Sequence, residues 1–174
     1  MEDEGRKQLE AELGTYVQQL REIDEIAQII LKGHLAVERQ LEHIIRHILL
    51  HPNYVLEGHF GFERKVQIVR SYSLNAHDHR DWAFLGILNE LRNEIAHREP
   101  GETRKQKIDK ARKAFLERVF PEARKKFENS TDETIALAIC MTCGGFLDHI
   151  QEDIESLRGA IDDMLERAWS EPKE

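Results

Sequence analysis

An arginine, an asparagine and a histidine stand close together in the segment Leu91-Arg92-Asn93-Glu94-Ile95-Ala96-His97. Arginine stays protonated at physiological pH and can bind a phosphate group through two N–H groups at once. Histidine exchanges a proton near neutral pH, so it can serve as a general acid or base. An asparagine amide can orient either group through a hydrogen bond. The three residue types together predict a site that handles a phosphate group.

The spacing of these three residues turns them away from the apolar side of a helix. On a helical wheel of about 100° per residue, with Leu91 at zero, Arg92, Asn93 and His97 fall at about 100°, 200° and 240°. We therefore expect the polar side chains to face solvent or a partner. A competing interpretation pairs Arg92 with Glu94 or another carboxylate and makes His97 an ordinary residue of the helix end, favoured there by the helix dipole. The predicted core stripe of the same helix consists of Phe84, Leu88, Leu91 and Ile95.

The spacing of the arginine and the histidine is not specific by itself. Arg46 and His51 are also five residues apart, in the sequence RHILLH. The surroundings separate the two segments. Arg92 follows a leucine and precedes an asparagine, and an apolar residue and an alanine stand directly before His97. This combination favours residues 91–97 as the site.

The sequence LRNEIAH resembles the signature of HEPN domains, which is an arginine, a polar residue, three to five further residues and a histidine. The resemblance implies an all-α bundle and a metal-independent ribonuclease with no cofactor. It also implies a two-fold dimer in which two copies of the arginine and the histidine line one cleft. Roles in defence, toxin–antitoxin systems and transcription regulation are found among such proteins.

Two further segments are similar to the same family. Residues 33–41 (GHLAVERQL) resemble its first core helix, and residues 61–66 (GFERKV) resemble the loop and short helix before the motif helix. In length and in this middle segment the chain is most similar to the mannitol operon repressor group, which implies a non-catalytic regulatory dimer. We expect a HEPN-like bundle over residues 25–155. Residues 1–24 would form an added dimerisation helix, and residues 156–174 would extend the last helix.

In the ribonuclease interpretation, each motif residue has one role. His97 is the general acid and base, Arg92 clamps the phosphate, and Asn93 orients His97 or a phosphate oxygen. A basic block directly follows the motif: residues 98–127 contain eleven Lys or Arg and five Asp or Glu, a net charge of +6. A solvated helix face would explain the block equally well. The residues that we expect to hold flanking RNA phosphates are Arg98, Arg104, Lys105 and Lys107.

Composition and periodicity favour helices along the whole chain. With 174 residues, 40% of them hydrophobic and only four prolines, the sequence predicts a single-domain bundle of about five to six helices. Asp24 and the sequence STDE at residues 130–133 are expected to cap helices. The predicted helices span residues 6–23, 24–50, 62–71, 78–97, 103–120 and 130–169.

Metal and thiol chemistry have weaker support. His43, His47 and His51 recur at four-residue intervals and could bind zinc from one helix face, with Asp78, His79 and Asp81 as further ligands. Apolar neighbours make this segment a core helix, so we predict no metal site. Cys140 and Cys143 form a C-x-x-C without a second pair, and they are expected to be buried core residues.

Charge and hydropathy limit the partners. The formal net charge is −8, which argues against general duplex-DNA binding, and no DNA-reading helix is evident. The acidic start of the sequence is unlike a secretory signal, and the apolar runs are shorter than a membrane span. We expect a cytoplasmic homodimer that binds RNA or a protein partner. The sequence leaves open which of the two it binds.

Overall fold

The computed structural model describes residue 14 and residues 24–58, 60–73, 81–97 and 101–170, with His97 and Ser170 described by their backbones only. Within these ranges the chain is all-α, as predicted, and contains no strand. The predicted helix at residues 6–23 lies outside the description except for Gly14, which is helical. The helices are α1 (Glu25–Ile48), α2 (Asn53–Leu56), α3 (Phe62–Tyr72), α4 (Trp82–His97), α5 (Glu102–Arg118), α6 (Pro121–Phe127) and α7 (Asp132–Ser170).

Helix α1 is the centre of the bundle. It begins where the sequence predicts, because the Asp24 carboxylate accepts a hydrogen bond from the Ala27 backbone N–H at 2.8 Å. Its apolar face packs against α7, α3 and α4. The α1 side chains with 2% exposure or less are Ile30, Val37, Leu41, Ile44 and Ile45.

The contact between α1 and α7 depends on a glycine. A Cβ atom placed on Gly33 would lie 2.2 Å from the Cys140 Sγ, which is much closer than atoms can approach. Glycine therefore permits the close approach of the two helices. Cys143 is buried in the core, as expected, whereas Cys140 is only half-buried, and both are free thiols. Burial raises the pKa of the Cys140 thiol to about 11.

Helix α4 carries the motif and begins later than predicted. Its first residue is Trp82, so Asp81 precedes the helix instead of lying in its first turn. The Asp81 carboxylate binds Arg118 of α5 at 2.7 Å. The predicted core stripe is confirmed, since Phe84, Leu88 and Leu91 are at most 3% exposed and Ile95 packs against the core.

Two short helices were not predicted. Helix α2 follows the end of α1, where a stop was expected. Helix α6 begins with Pro121, which a helix tolerates at its first position because the missing N–H has no partner there anyway. The N-terminal cap of α7 also lies one residue later than predicted. Thr131, not Ser130, accepts the bond from the Thr134 N–H, and Ser130 instead donates to the Lys126 carbonyl.

Helix α7 has two different halves. Its first half packs into the core, and from residue 155 onward every residue with a described side chain is exposed. Within the described part of the chain, this is the one helix long and apolar enough to cross a membrane, by length and composition alone. The core helix of a soluble protein passes the same test. The prediction that the chain contacts no membrane therefore stays a prediction.

Candidate functional site

An open cleft of about 490 Å³ lies where α1, α3 and α4 meet. Helix α4 contributes Asn89, Arg92 and Asn93, which face the cleft on consecutive turns of one helix side. The opposite walls come from the middle of α1 and from the start of α3. The side chains that these two helices contribute are His34, Glu38, Phe62, Glu63 and Arg64.

Arg92 and Asn93 lie together in this cleft. The half-buried Arg92 donates a hydrogen bond from Nη1 to the Asn93 Oδ1 at 3.1 Å. Within the part of the chain that the structure describes, no carboxylate lies within 4.0 Å of the Arg92 guanidinium. Glu94 points elsewhere, because it is buried with one oxygen 3.9 Å from the Lys107 Nζ of α5. The competing pairing of Arg92 with Glu94 does not occur in this structure.

The third motif residue, His97, is described by its backbone only. His97 is the last residue of α4, and its side chain lies outside the described residues, as does all of Arg98. The backbone fixes only its position on the helix. At four residues beyond Asn93, it lies one turn further along nearly the same side. The roles predicted for His97 and Arg98 remain predictions.

A second histidine lies in the cleft and was missed as a functional residue. His34 of α1 is 5% exposed, its Nε2 lies 3.3 Å from the Asn89 Oδ1, and its ring lies 4.3 Å from the Phe62 ring. Burial lowers its pKa, although the hydrogen bond to Asn89 and the charge of Glu38 act in the opposite direction. The nearby charge of Arg92 lowers the pKa further. The imidazole is therefore neutral at pH 7.

Only tertiary structure could reveal His34. It is 55 residues before Asn89 in sequence, and its helix position marks it simply as a residue of the core stripe. The sequence signal that could have drawn attention to it is weak. A histidine stands in a helix face that is otherwise made of Ala, Ile, Val and Leu.

A charged network fixes the wall of the cleft behind His34. The Lys65 Nζ donates to the Glu38 Oε1 at 2.8 Å and also bonds Glu42. Burial alone would lower the pKa of Lys65, but the two carboxylates outweigh it and the pKa is raised. Because α1 supplies both carboxylates and α3 the lysine, the network holds these helices at a fixed separation.

The three predicted phosphate-binding cations that the structure describes differ in exposure and in partners. Arg104 is 7% exposed and its Nη2 lies 2.6 Å from the Asp24 Oδ1, so its guanidinium is occupied by the cap of α1. Lys107 is half-buried and faces Glu94. Lys105 is exposed. Arg104 could reach RNA only by giving up this partly buried ion pair, and its predicted contact with RNA stays a prediction.

The histidine series and the second arginine–histidine pair do not form sites on one helix. Helix α1 ends at Ile48, so His51 lies beyond it and packs edge-on against the Tyr54 ring. Arg46 and His47 are exposed, and the His47 ring lies beside that of His43. Among the described residues no group of three or more His, Cys, Asp or Glu has a metal-binding arrangement. Asp78 and His79 lie outside these residues.

Comparison with known proteins adds no assignment to this geometry. No family model, no curated protein and no solved structure matches the chain.

Proposed function

We propose that this protein is a metal-independent RNA endonuclease whose reaction centre lies on α4, at the cleft that contains Arg92. The observation that carries the proposal is the state of Arg92. Its guanidinium lines an open cleft, is oriented by Asn93, and is not neutralised by a carboxylate among the described residues. A pre-oriented arginine of this kind can accept a phosphate group. The resemblance of residues 91–97 to the HEPN signature supports the same reaction.

The proposed reaction needs no metal ion and no cofactor. The 2′-hydroxyl loses its proton, and the 2′-oxygen forms a bond to phosphorus. The bond from phosphorus to the 5′-oxygen then breaks, and the leaving oxygen takes up a proton. His97 moves these protons, and Arg92 stabilises the extra negative charge on the phosphorane oxygens. The products are a 2′,3′-cyclic phosphate and a 5′-hydroxyl.

The charge of the cleft favours a dimeric site. Glu38 and Glu63 formally balance Arg64 and Arg92, so a single cleft has little net attraction for a polyanion. A two-fold dimer that joined the motif sides would place a second Arg92 near the first. RNA affinity would then come from paired cations, as the HEPN resemblance implies. Light scattering at micromolar concentration tests this, and a strictly monomeric protein would contradict it.

A second candidate function is a non-catalytic regulatory dimer that binds a protein, as in the mannitol operon repressor group. The specific observation in its favour is the exposed apolar stripe on the last half of α7. Exposed apolar residues at helical spacing are typical of helix–helix docking. The stripe consists of Leu157, Ile161, Met164, Leu165 and Trp169, each at least 40% exposed.

Incubation of the purified full-length protein with RNA in EDTA tests the proposal. We expect cleavage that leaves 2′,3′-cyclic phosphate ends and that stops when the 2′-hydroxyls are replaced by hydrogen. Arg92→Ala and His97→Ala should each reduce the cleavage rate by about 100-fold or more.

The matched control is Arg46→Ala, which removes an exposed arginine from the second arginine–histidine pair. It should leave the rate unaltered. If RNA stays intact, or if Arg46→Ala abolishes cleavage while Arg92→Ala does not, the nuclease proposal fails. A stable dimer without cleavage would leave the regulatory function as the better explanation.

A further inference from the structure

Three helices hold one side-chain amide in the cleft. Asn89 of α4 has its Oδ1 3.3 Å from the His34 Nε2 of α1, and its Nδ2 3.4 Å from the Glu63 Oε1 of α3. A carboxylate only accepts hydrogen bonds, so the nitrogen end of the amide must face Glu63. The oxygen end therefore faces His34, which must donate from Nε2. The orientation of the amide is thus fixed at both ends.

The Asn89 amide keeps unused hydrogen-bonding capacity. A side-chain amide has two N–H donors and an oxygen with two acceptor sites. His34 uses one acceptor site and Glu63 uses one donor. One donor and one acceptor remain on a half-buried group that lines the cleft. An adjacent donor and acceptor are complementary to the Watson–Crick edge of a nucleobase.

The surroundings of Asn89 suit one nucleotide. Arg92 lies three residues further along α4, about 4.5 Å along the helix axis, on the same wall of the cleft. The rings of His34 and Phe62 lie in the opposite wall, where they pack on each other and are only 5% and 7% exposed. A cation for a phosphate and a fixed amide for a base edge are thus within one cavity. The volume of about 490 Å³ is within the usual range for a small-ligand pocket.

We infer that Asn89 is the residue that selects the nucleobase next to the phosphate held by Arg92, and that His34 positions Asn89 for this contact. The inference rests on the proposed function, because it concerns RNA in the same cleft. Arg92 contributes affinity that is independent of sequence, since every nucleotide has the same phosphate. Asn89 contributes the difference between bases. His34 acts through Asn89 and determines how sharp that difference is.

The test measures the binding of four RNA tetranucleotides, each made of one base, by fluorescence anisotropy in EDTA. Their 2′-hydroxyls are replaced by fluorine so that cleavage cannot occur. We expect the wild-type protein to prefer one or two bases by about tenfold. Asn89→Ala should bring the four dissociation constants to within about twofold of one another, because the base-selecting contact is lost. Arg92→Ala should weaken all four by the same factor.

His34→Phe separates positioning from packing. It keeps a ring against Phe62 but removes the donor to Asn89, so base preference should fall while binding of the best tetranucleotide weakens less than in Arg92→Ala. His34→Gln restores an N–H donor and should recover part of the preference. Asn129→Ala, at an exposed asparagine after α6, is the control and should change nothing. Melting curves identify variants that fail to fold. If Asn89→Ala is one of them, Asn89→Asp replaces it.

The outcomes separate the two proposals. If Asn89→Ala or its substitute weakens all four tetranucleotides equally, or changes none of them, Asn89 does not select the base. That result would leave the nuclease proposal intact. If the wild-type protein binds the tetranucleotides with a preference that Asn89→Ala removes, but cleaves no RNA, the inference survives and the nuclease proposal fails. If the wild-type protein binds none of them, both fail.

Discussion

The cleft and helix α5 both carry cations and amides, but the two regions use them differently. In α5 the positive charges that make residues 98–127 strongly basic are largely bound to carboxylates of neighbouring helices. The pairs are Arg104–Asp24, Lys107–Glu94, Lys110–Glu90, Arg112–Asp132 and Arg118–Asp81. In the cleft Arg92 donates a hydrogen bond to the Asn93 amide, and it has no carboxylate within 4.0 Å among the described residues. Net charge along the sequence counts cations without showing which of them are already paired with carboxylates.

The largest expected difference between the regions is in catalysis. Arg92→Ala should lower the rate of RNA cleavage by about 100-fold or more, because the charge of the phosphorane loses its stabilising cation. Arg112→Ala removes an arginine that is bound to Asp132 in the basic region, and the rate should stay within about twofold. Single-turnover cleavage assays on both variants measure this. Equal losses in the two variants would erase the functional distinction between the cleft and α5.

The free energy of unfolding should show a smaller effect, and this effect should fall on α5 and not on the cleft. Arg104→Ala should lower the free energy of unfolding by about 1–3 kcal/mol, because it removes a charge-assisted hydrogen bond and the packing of a buried side chain. The exposed Lys105→Ala should change it by less than about 0.5 kcal/mol. Urea denaturation of both variants provides the measurement.

The Arg104 effect should also depend on pH. The hydrogen bond from Arg104 lowers the pKa of the Asp24 carboxyl below its usual value of 3.8. The stabilisation is therefore present above pH 3.8 and is lost as pH falls through the lower pKa of the folded state. The difference between wild type and Arg104→Ala should shrink in that acidic range. A difference that persists there would show that packing alone, and not the ion pair, is responsible.

The smallest expected effect concerns the titration of His34, which lines the cleft. The pKa of His34 is lowered from 6.5, mainly by burial, so the unfolded chain binds a proton before the folded chain does. The contribution of His34 to the free energy of unfolding is then largest above pH 6.5 and is lost as pH falls through the lower pKa of the folded state. Glu38 opposes this decline, whereas Arg92 and Lys65 strengthen it.

His34→Phe should remove the part of the decline in unfolding free energy at low pH that comes from His34. The comparison is the difference in unfolding free energy between wild type and His34→Phe, measured by urea denaturation from pH 7.5 to pH 5. We expect the difference to shift against the wild type as the pH falls. A constant difference over this range would mean that His34 is not buried in its neutral form.

Much of the fold followed from local sequence. The apolar spacing of α1 and α4 predicted their core faces, and Asp24 predicted the start of α1, because amphipathic periodicity and capping act within a few residues. The short helices α2 and α6 were missed. They are too brief to show a helical period, and α6 begins at a proline, a residue that interrupts helices at interior positions.

Only the part of the site that lies on α4 could be predicted from the sequence. Residues 91–97 were identified because their types and spacing are contained in one helix. No sequence pattern places His34 or Glu63 beside Asn89, since contacts between helices depend on how the helices pack. For the same reason Arg104 was expected to hold RNA, whereas the structure places it on Asp24, 80 residues earlier.

The sequence by itself determined the all-α class, the apolar faces and the presence of an arginine and an asparagine on the polar side of α4. These properties depend on helical periodicity, which is local and repeats every few residues. The tertiary structure decided which polar groups meet. Packing of α1 and α3 against α4 surrounds Arg92 with an open cleft, and packing of α5 against its neighbours pairs five of its cations with carboxylates. Charge pairing acts through space, so its outcome depends on the arrangement of helices and not on the order of residues.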